Sequence, residues 1–205
     1  MTDYYLYHVD SLPDPKENKD ALEDIPDWRI EYILKYRRAC DRRLSLGAWR
    51  LMEEILKRHG FSAQNVTVGV NGKPECEGIC FNLSHSDDMV LCAVSDSPVG
   101  CDIEKVTDAP LEVADRYFSE VERRYIDEAQ NLSEINRRFF RLWTMKESYL
   151  KMTGEGMNLS PERIEIDLDS LVVLRDSVKQ PCTLTNITHG DYEITICIDK
   201  VKTNL

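Results

Sequence analysis

The chain has 205 residues, of which 42% are hydrophobic and 31% are charged, and its formal net charge at pH 7 is −11. These values are typical of a folded globular protein, and the acidic balance argues against a nucleic-acid partner. The longest uninterrupted apolar run, Met89–Val94, has six residues. A membrane-spanning helix needs about 20 apolar residues, so we expect no membrane association.

The first residues lack the basic and apolar segments of a secretory signal, and the seven cysteines contain no C-x-x-C pair. We therefore expect a cytoplasmic protein whose thiols are reduced.

Strand and helix patterns alternate along the first half of the chain. Alternation predicts a strand at Tyr4–Val9, and a helical pattern begins near Trp28. Apolar residues at helical spacing from Leu44 to Ile55 predict a helix that stops near Gly60. Four further strands are predicted at Val66–Val70, Cys80–Ser84, Met89–Ser95 and Val99–Glu104.

The second half shows the same order of elements. Helices are predicted after Pro110, from Ser119, and over Ser133–Thr153, where Gly154 ends the pattern. Strands return between Ile164 and Val201. The sequence therefore predicts an α+β fold whose two halves share a rough pattern.

A pair of acidic residues lies at the end of the last strand of the first half. Asp102 and Glu104 are two residues apart, so a strand places both carboxylates on one face. Two adjacent carboxylates repel each other unless a cation lies between them, and Mg²⁺ suits such ligands. The alternative is a solvent-facing strand end with two ordinary acidic residues.

The predicted helix Ser133–Thr153 carries Trp143, Glu147 and Lys151 on one face, each one turn from the next. A carboxylate and an ammonium there could hold a metal ion and an adjacent phosphate. The same spacing is equally typical of a surface ion pair.

Polar residues also interrupt the strands upstream. Gly72-Lys73-Pro74 predicts a turn that exposes backbone N–H groups and one cation, without the spacing of a Walker loop. His85 could donate to a phosphate or be a structural histidine. Residues 29–58 contain nine lysines and arginines against four acidic residues, which fits a phosphorylated ligand, an acidic partner or a solvated helix surface.

The order of these motifs is more specific than any one of them. From Gly72 to Met157, the chain resembles the surfactin-type 4'-phosphopantetheinyl transferase superfamily. The motifs that carry the resemblance are Gly72-Lys73-Pro74, Phe81-Asn82-Leu83-Ser84-His85-Ser86, Gly100-Cys101-Asp102-Ile103-Glu104, Phe118-Ser119-x-x-Glu122 and Trp143-Thr144-x-Lys146-Glu147-Ser148-x-x-Lys151. The resemblance implies two pseudo-symmetric lobes, residues 1–104 and 105–205, each a small antiparallel sheet packed with helices, with the active site in the cleft between them.

The resemblance also implies an activity. Family members transfer the phosphopantetheine arm of coenzyme A, their co-substrate, to a serine of an acyl or peptidyl carrier protein and release 3',5'-ADP. By similarity, Asp102, Glu104 and Glu147 would hold Mg²⁺, with Mn²⁺ as a possible substitute. Lys151 would stabilise or protonate the leaving phosphate.

Further roles follow from the same resemblance, which also includes Arg43 within Asp41-Arg42-Arg43-x-x-x-Gly47. The residues expected to contact coenzyme A are Arg43, Lys73, Pro74, Ser84, His85, Lys146 and Lys151. The base that takes the serine proton would be Glu147 or Glu122, although Ser119-x-x-Glu122 also reads as a capping box. The chain departs from the family upstream of Arg43, where Arg29 is the one basic residue of the segment 26–31.

Two other functions remain open from the sequence. One is a non-catalytic protein that binds a carrier protein or coenzyme A, and the other is a different Mg²⁺-dependent phosphotransferase. For the transferase, we expect a monomer.

Overall fold

Residues 2–69 and 72–200 are described in the computed structural model, without the side chain of Met157. The elements of the first half are β1 (Thr2–His8), α1 (Asp27–Leu34), α2 (Ala39–Arg58), β2 (Thr67–Val68), β3 (Pro74–Glu75), β4 (Cys80–Ser86) and β5 (Met89–Ser95). Those of the second half are β6 (Val99–Lys105), α3 (Leu111–Tyr117), α4 (Glu120–Asp127), α5 (Leu132–Thr153), β7 (Ile164–Asp167), β8 (Val172–Arg175), β9 (Val178–Lys179), β10 (Cys182–His189) and β11 (Tyr192–Asp199).

The predicted elements are largely confirmed. The strand predicted at 66–70 is the two-residue β2, and its predicted end at Val70 lies outside the described residues, as does Val201. No helix in the described part of the chain is long and apolar enough to cross a membrane.

Local signals fix the ends of the long helix α5. The Asn131 side chain accepts a hydrogen bond from the Glu134 N–H at 3.0 Å, which caps the first turn. Gly154 follows the last turn with φ of 70°, a left-handed conformation that glycine adopts without strain. The predicted stop at Gly154 is therefore confirmed.

Two three-stranded antiparallel sheets form the centre of the fold, in the orders β1-β5-β4 and β10-β11-β6. In both halves the first strand pairs with the last, and the last strand lies in the middle. Helix α2 packs on the first sheet and α5 on the second. The predicted α+β fold with two related lobes is confirmed, and smaller sheets, β2-β3 and β7-β8-β9, are added to it.

The strand pairing places the boundary between the lobes before β6 rather than after residue 104. Strand β6 pairs with β11, with Asp102 opposite Thr195 and Glu104 opposite Glu193. The second repeat of the pattern thus begins at Val99, and a boundary after residue 104 would separate β6 from its own sheet. The first two candidate metal ligands belong to the second lobe.

Three apolar clusters hold these layers together. One lies between α2 and the first sheet, and a second lies between α5 and the second sheet. The third joins the sheets and contains Leu91 and Ala93 of β5, Ile103 of β6, and Ile194 and Ile196 of β11. Burial of these side chains, each stabilising by about 1.5–3 kcal/mol when large and aliphatic, fixes the two lobes against each other.

The edge strands β4 and β6 meet along a seam, where β4 side chains accept hydrogen bonds from backbone amides of β6. The pairs are Cys101 N–H to Asn82 Oδ1 at 2.9 Å, Ile103 N–H to Ser84 Oγ at 3.4 Å and Lys105 N–H to Ser86 Oγ at 3.1 Å. Because these acceptors alternate along β4, they all lie on the face that meets β6.

Helix α5 approaches β6 closely at Gly100. A Cβ atom at this position would lie 2.0 Å from the Ser148 carbonyl oxygen and 2.3 Å from the Met152 nitrogen. Only glycine allows this contact, which brings the side chains of α5 over the polar face of β6.

Candidate active site

The polar face of β6 carries the two predicted carboxylates. Cys101 and Ile103 point the other way and are fully buried between the sheets. Asp102 is 3% exposed, whereas Glu104 is half-buried near the strand end. The expected two-residue alternation is therefore confirmed, and it directs both carboxyl groups toward α5 and β4.

The two oxygens of Asp102 have different surroundings. Oδ1 accepts hydrogen bonds from Lys151 Nζ at 2.6 Å and from Ser84 Oγ at 2.8 Å. Oδ2 is buried and has no hydrogen-bond partner among the described residues. An unsatisfied buried carboxylate oxygen is costly, and it marks a position where a ligand would be stabilised.

Glu104 accepts a hydrogen bond from Ser86 Oγ to Oε2 at 2.7 Å. Burial and the negative charge of Asp102 raise the pKa of Glu104 to about 7, although the Ser86 hydrogen bond opposes the shift. Without a further cation, this carboxyl group is partly protonated at neutral pH.

Helix α5 supplies Glu147 and Lys151 to the same place, one turn apart. Burial and the charge of Asp102 raise the pKa of Glu147, while Lys151 acts in the opposite direction. Burial alone would lower the pKa of Lys151, but the charges of Asp102 and Glu147, the hydrogen bond to Asp102 and the nearby Cys101 together raise it. Lys151 is therefore a charged ammonium beside three carboxyl groups.

These side chains surround a cleft of about 370 Å³ between the lobes. Its lining residues are Leu83, Ser84, His85, Asp102, Glu104, Trp143, Glu147 and Lys151. A neighbouring cleft of about 550 Å³ shares Leu83, Glu147 and Lys151 and extends past Lys73 and Pro74. Six predicted site residues thus line one cleft, and Lys73 and Pro74 line the cleft beside it.

Lys73 also links the lobes. Its Nζ donates to the carbonyl oxygens of Val99 at 3.2 Å and Lys151 at 3.1 Å. The second contact places a cation at the C-terminal end of α5, where it satisfies a free carbonyl and complements the helix dipole. Burial lowers the pKa of Lys73.

The two remaining cationic candidates of the first lobe differ in exposure. His85 is exposed to solvent at the rim of the cleft. Partial desolvation of its imidazole by nearby protein atoms and the positive charge of Lys151 lower its pKa. Arg43 lies on α2 and is partly buried, and its Nε has no hydrogen-bond partner among the described residues. Its neighbour Arg42 is fully engaged with Asp14, at 2.7 Å from Nε to Oδ1, and with the carbonyls of Tyr36 and Arg37.

Glu122 and Lys146 are not brought to this cleft. Both are 0% exposed, and Lys146 Nζ lies 2.8 Å from Glu122 Oε2. Glu122 closes the capping box with Ser119 and also accepts the Ile166 N–H at 2.9 Å. Both side chains are engaged inside the second lobe, so the residues that line this cleft do not include the expected base Glu122 or the expected coenzyme A contact Lys146.

Comparison with known proteins decides the family. Residues 98–197 match the 4'-phosphopantetheinyl transferase superfamily. The chain is 36% identical over 205 residues to the 4'-phosphopantetheinyl transferase Sfp of Bacillus subtilis (strain 168), which covers 94% of this chain and 90% of the relative. It is 34% identical to psf-1 of Bacillus pumilus, covering 91% and 87%. This chain belongs to the 4'-phosphopantetheinyl transferase family.

A third relative, the 4'-phosphopantetheinyl transferase gsp of Aneurinibacillus migulanus, is 38% identical over 116 residues, which cover 55% of this chain and 48% of that protein. The family assignment confirms an enzyme and sets aside the non-catalytic and alternative phosphotransferase interpretations.

The donor set of this transferase fits a divalent metal ion. Three carboxyl groups line the cleft, and the buried Asp102 Oδ2 has no partner in the part of the chain that the structure describes. Hard oxygen ligands are those that Mg²⁺ and Mn²⁺ prefer. A divalent cation would also offset the negative charge that Lys151 alone does not balance.

Sequence reasoning did not assign Ser86 or Glu193. Glu193 is buried opposite Glu104 and binds Arg137 at 2.9 Å and Arg141 at 3.3 Å, so it supports α5 on the second sheet. The available signal for Ser86 was the polar alternation of Asn82, Ser84 and Ser86 along β4.

Proposed function

We propose that this transferase moves the phosphopantetheine arm of coenzyme A to a serine of an acyl or peptidyl carrier protein and releases 3',5'-ADP. The observation that carries the proposal is the cleft in which Asp102, Glu104, Glu147 and Lys151 meet, with one buried oxygen of Asp102 that has no hydrogen-bond partner within residues 2–69 and 72–200. All of these residues come from one chain, which supports action as a monomer.

The proposed reaction is a phosphoryl transfer. The serine oxygen forms a bond to the pyrophosphate phosphorus that carries the pantetheine, and the bond from that phosphorus to the bridging oxygen breaks. The serine gives its proton to a base, and 3',5'-ADP leaves with the bridging oxygen. The residues must therefore hold a dense anion, accept one proton and stabilise the negative charge that develops on the leaving group.

Asp102, Glu104 and Glu147 are proposed to hold Mg²⁺. The bound ion would neutralise pyrophosphate charge and stabilise the charge on the bridging oxygen. Asp102 Oδ2 is the best-prepared ligand, since Ser84 and Lys151 already fix the other oxygen of the same carboxylate.

Lys151 is proposed to face the leaving phosphate. Asp102 and Ser84 hold its ammonium, at 2.6 Å and 2.8 Å, so the charge is positioned before the ligand binds. A positioned ammonium in a partly desolvated cleft stabilises developing negative charge without reorganisation, and it can donate a proton.

Glu147 is the proposed base among the two carboxylates considered, because Glu122 is committed to Lys146, Ser119 and Ile166. Glu147 lines the cleft one turn before Lys151, so a carboxylate oxygen that does not bind the metal ion would be placed to accept the serine proton.

The nucleotide end of coenzyme A is proposed to lie along Lys73, Pro74, Ser84 and His85, with Arg43 at the 3'-phosphate. Among the residues that the structure describes, the Nε of Arg43 has no hydrogen-bond partner, which supports this role because a guanidinium binds phosphate oxygens through two parallel hydrogen bonds.

The direct test is modification of a panel of apo carrier proteins from fatty acid, polyketide and nonribosomal peptide synthesis. With coenzyme A and Mg²⁺, we expect intact-protein mass spectrometry to show addition of one phosphopantetheine arm at a serine and formation of 3',5'-ADP. Folded protein that modifies no carrier in the panel would contradict the proposal. Activity that survives complete removal of divalent ions would contradict the metal assignment alone.

A further inference from the structure

The seam between β4 and β6 contains two serines with the same bonding pattern. Ser84 Oγ accepts the Ile103 N–H at 3.4 Å and donates to Asp102 at 2.8 Å. Two residues later, Ser86 Oγ accepts the Lys105 N–H at 3.1 Å and donates to Glu104 Oε2 at 2.7 Å. Each hydroxyl thus connects the backbone of β6 to a carboxylate on that same strand.

The backbone contact determines where the hydroxyl proton points. A serine hydroxyl has one proton and two acceptor lone pairs. Because the Lys105 N–H occupies an acceptor site of Ser86, the oxygen is fixed against β6 while its proton is directed to Glu104. The hydrogen bond engages Oε2 of Glu104 and so orients the other oxygen, Oε1.

Glu104 depends on such support more than Asp102 does. Asp102 is 3% exposed and also bound by Lys151, whereas Glu104 is half-buried and lies near the end of β6. Ser86 is the one side-chain hydrogen-bond partner of Glu104 among the described residues, and a long side chain held at one point keeps rotamer freedom that it loses when it binds a ligand.

We propose that Ser86 is a positioning residue of the first lobe that orients the Glu104 carboxylate of the second lobe for the metal ion. The inference rests on the proposed metal site and extends it to a residue that does not bind the metal. Metal affinity then depends on the docking of β4 against β6, since the two partners belong to different lobes.

The test uses the full chain without coenzyme A and measures Mn²⁺ binding through the electron paramagnetic resonance signal of the free ion. Ser86→Ala is expected to weaken Mn²⁺ binding about tenfold, as is usual for partners of metal ligands. Ser86→Thr keeps the hydroxyl on a side chain suited to a strand, and it should restore affinity to within about threefold of wild type.

Transfer kinetics give a second readout. Because Ser86 acts on metal binding, Ser86→Ala should raise the Mg²⁺ concentration at half-maximal rate about tenfold, while kcat at saturating Mg²⁺ stays within about threefold. If the alanine variant does not fold, Ser86→Cys, whose thiol is a weak donor, takes its place.

Asn82→Ala is the matched control in the same seam, because Asn82 binds the Cys101 N–H but neither carboxylate. Equal loss of Mn²⁺ affinity in the Asn82 and Ser86 variants would show general loosening of the seam and overturn the inference. Mn²⁺ affinity equal to that of wild type in Ser86→Ala would also overturn the inference. So would a loss of Mn²⁺ affinity on Ser86→Ala that is as large in a Glu104→Ala background as in wild type, because a residue that acts through Glu104 has no carboxylate to orient there.

Mn²⁺ binding by the wild-type chain distinguishes failure of the proposed metal site from failure of the positioning role of Ser86. Wild type that binds no Mn²⁺ would contradict the metal site itself, whereas wild type that binds it while Ser86→Ala binds it equally well would contradict only the positioning role.

Discussion

Lys146 and Glu147 are neighbours in α5, yet their side chains lie in surroundings that differ in charge balance. Lys146 meets Glu122 at 2.8 Å, and both side chains are 0% exposed. Lys146 also donates to the carbonyl oxygen of Tyr117 at 2.9 Å, and Glu122 accepts the Ile166 N–H at 2.9 Å. One positive and one negative charge are paired, and backbone groups fill the remaining positions.

The surroundings of Glu147 contain more negative than positive charge. Here it joins Asp102 and Glu104, and Lys151 is the cation of the cleft that they line. Burial and mutual repulsion raise the pKa of Glu104 to about 7 and raise that of Glu147. Asp102 Oδ2 is buried without a partner among the described residues.

The comparison teaches how to tell a structural ion pair from a ligand site inside one helix. A structural pair is charge-balanced and saturated with hydrogen bonds, whereas a ligand site keeps excess charge and an unfilled acceptor. The same contrast separates Arg42, which binds Asp14 and two carbonyl oxygens, from Arg43, whose Nε has no partner in the described ranges 2–69 and 72–200.

The largest effect is expected from removing the unfilled acceptor. Asp102→Asn keeps an oxygen for Ser84 and Lys151 but removes the charge, and it should lower the transfer rate about 1000-fold, since several kcal/mol of electrostatic stabilisation are lost. Carrier modification followed by mass spectrometry measures this rate.

The same variant should lose the rise in melting temperature that Mg²⁺ and coenzyme A give to wild type by mass action. Glu112→Gln, which changes an exposed carboxylate on α3, is the control and should keep both properties. An identical ligand-induced rise in Asp102→Asn would remove Asp102 from the metal site.

The balanced pair should respond in stability rather than in catalysis. Glu122→Gln leaves the Lys146 charge buried without its counterion, so the free energy of unfolding should fall by about 3–5 kcal/mol. Chemical denaturation measures the loss, and kcat per folded molecule should stay within about threefold of wild type.

Glu122→Gln combined with Lys146→Met removes both charges and should recover part of that stability, because no unpaired charge remains. A folded Glu122→Gln protein with a rate as low as that of Asp102→Asn would return Glu122 to the catalytic residues.

Most of the features that could be predicted from the sequence depend on short-range patterns. The alternation around Asp102, the stop at Gly154 and the capping box at Ser119 each depend on residues within a few positions, and the structure confirms all three. The Glu122–Lys146 pair joins residues 24 positions apart through the packing of α4 on α5, which no local pattern specifies.

The boundary between the lobes depended on strand pairing. Apolar alternation predicted a strand at β6, but the choice of β11 as its partner is a contact between residues more than 80 positions apart. The seam was missed for the same reason, although polar Asn82, Ser84 and Ser86 alternate with apolar Phe81 and Leu83 in the sequence.

The next largest effect is expected on coenzyme A binding when Arg43 is replaced. Arg43→Ala should weaken binding of coenzyme A about tenfold to a hundredfold, because a charge-assisted hydrogen bond contributes about 1.5–3 kcal/mol. Binding of 3'-dephospho-coenzyme A, which lacks the phosphate, should change little. Isothermal titration of both ligands measures the difference, and equal losses would show that Arg43 is not at the 3'-phosphate.

The smallest effect tests the excess negative charge itself. The pKa of Glu104 is raised from 4.5 to about 7 in the folded protein. A carboxyl group with a raised folded-state pKa binds its proton more tightly in the folded chain than in the unfolded chain. Its ionisation therefore destabilises the fold, and the metal-free protein should lose stability as pH rises through about 7.

For Glu104 alone, these two pKa values correspond to a loss of about 1 kcal/mol between pH 6 and pH 8. Glu104→Gln cannot ionise, so the decrease in its free energy of unfolding over this range should be about 1 kcal/mol smaller than in wild type. Glu112→Gln should follow wild type, since that carboxylate is exposed. Denaturation at both pH values, without divalent ions, measures the three proteins, and parallel pH dependence in wild type and Glu104→Gln would show that Glu104 does not carry the excess charge of the cleft.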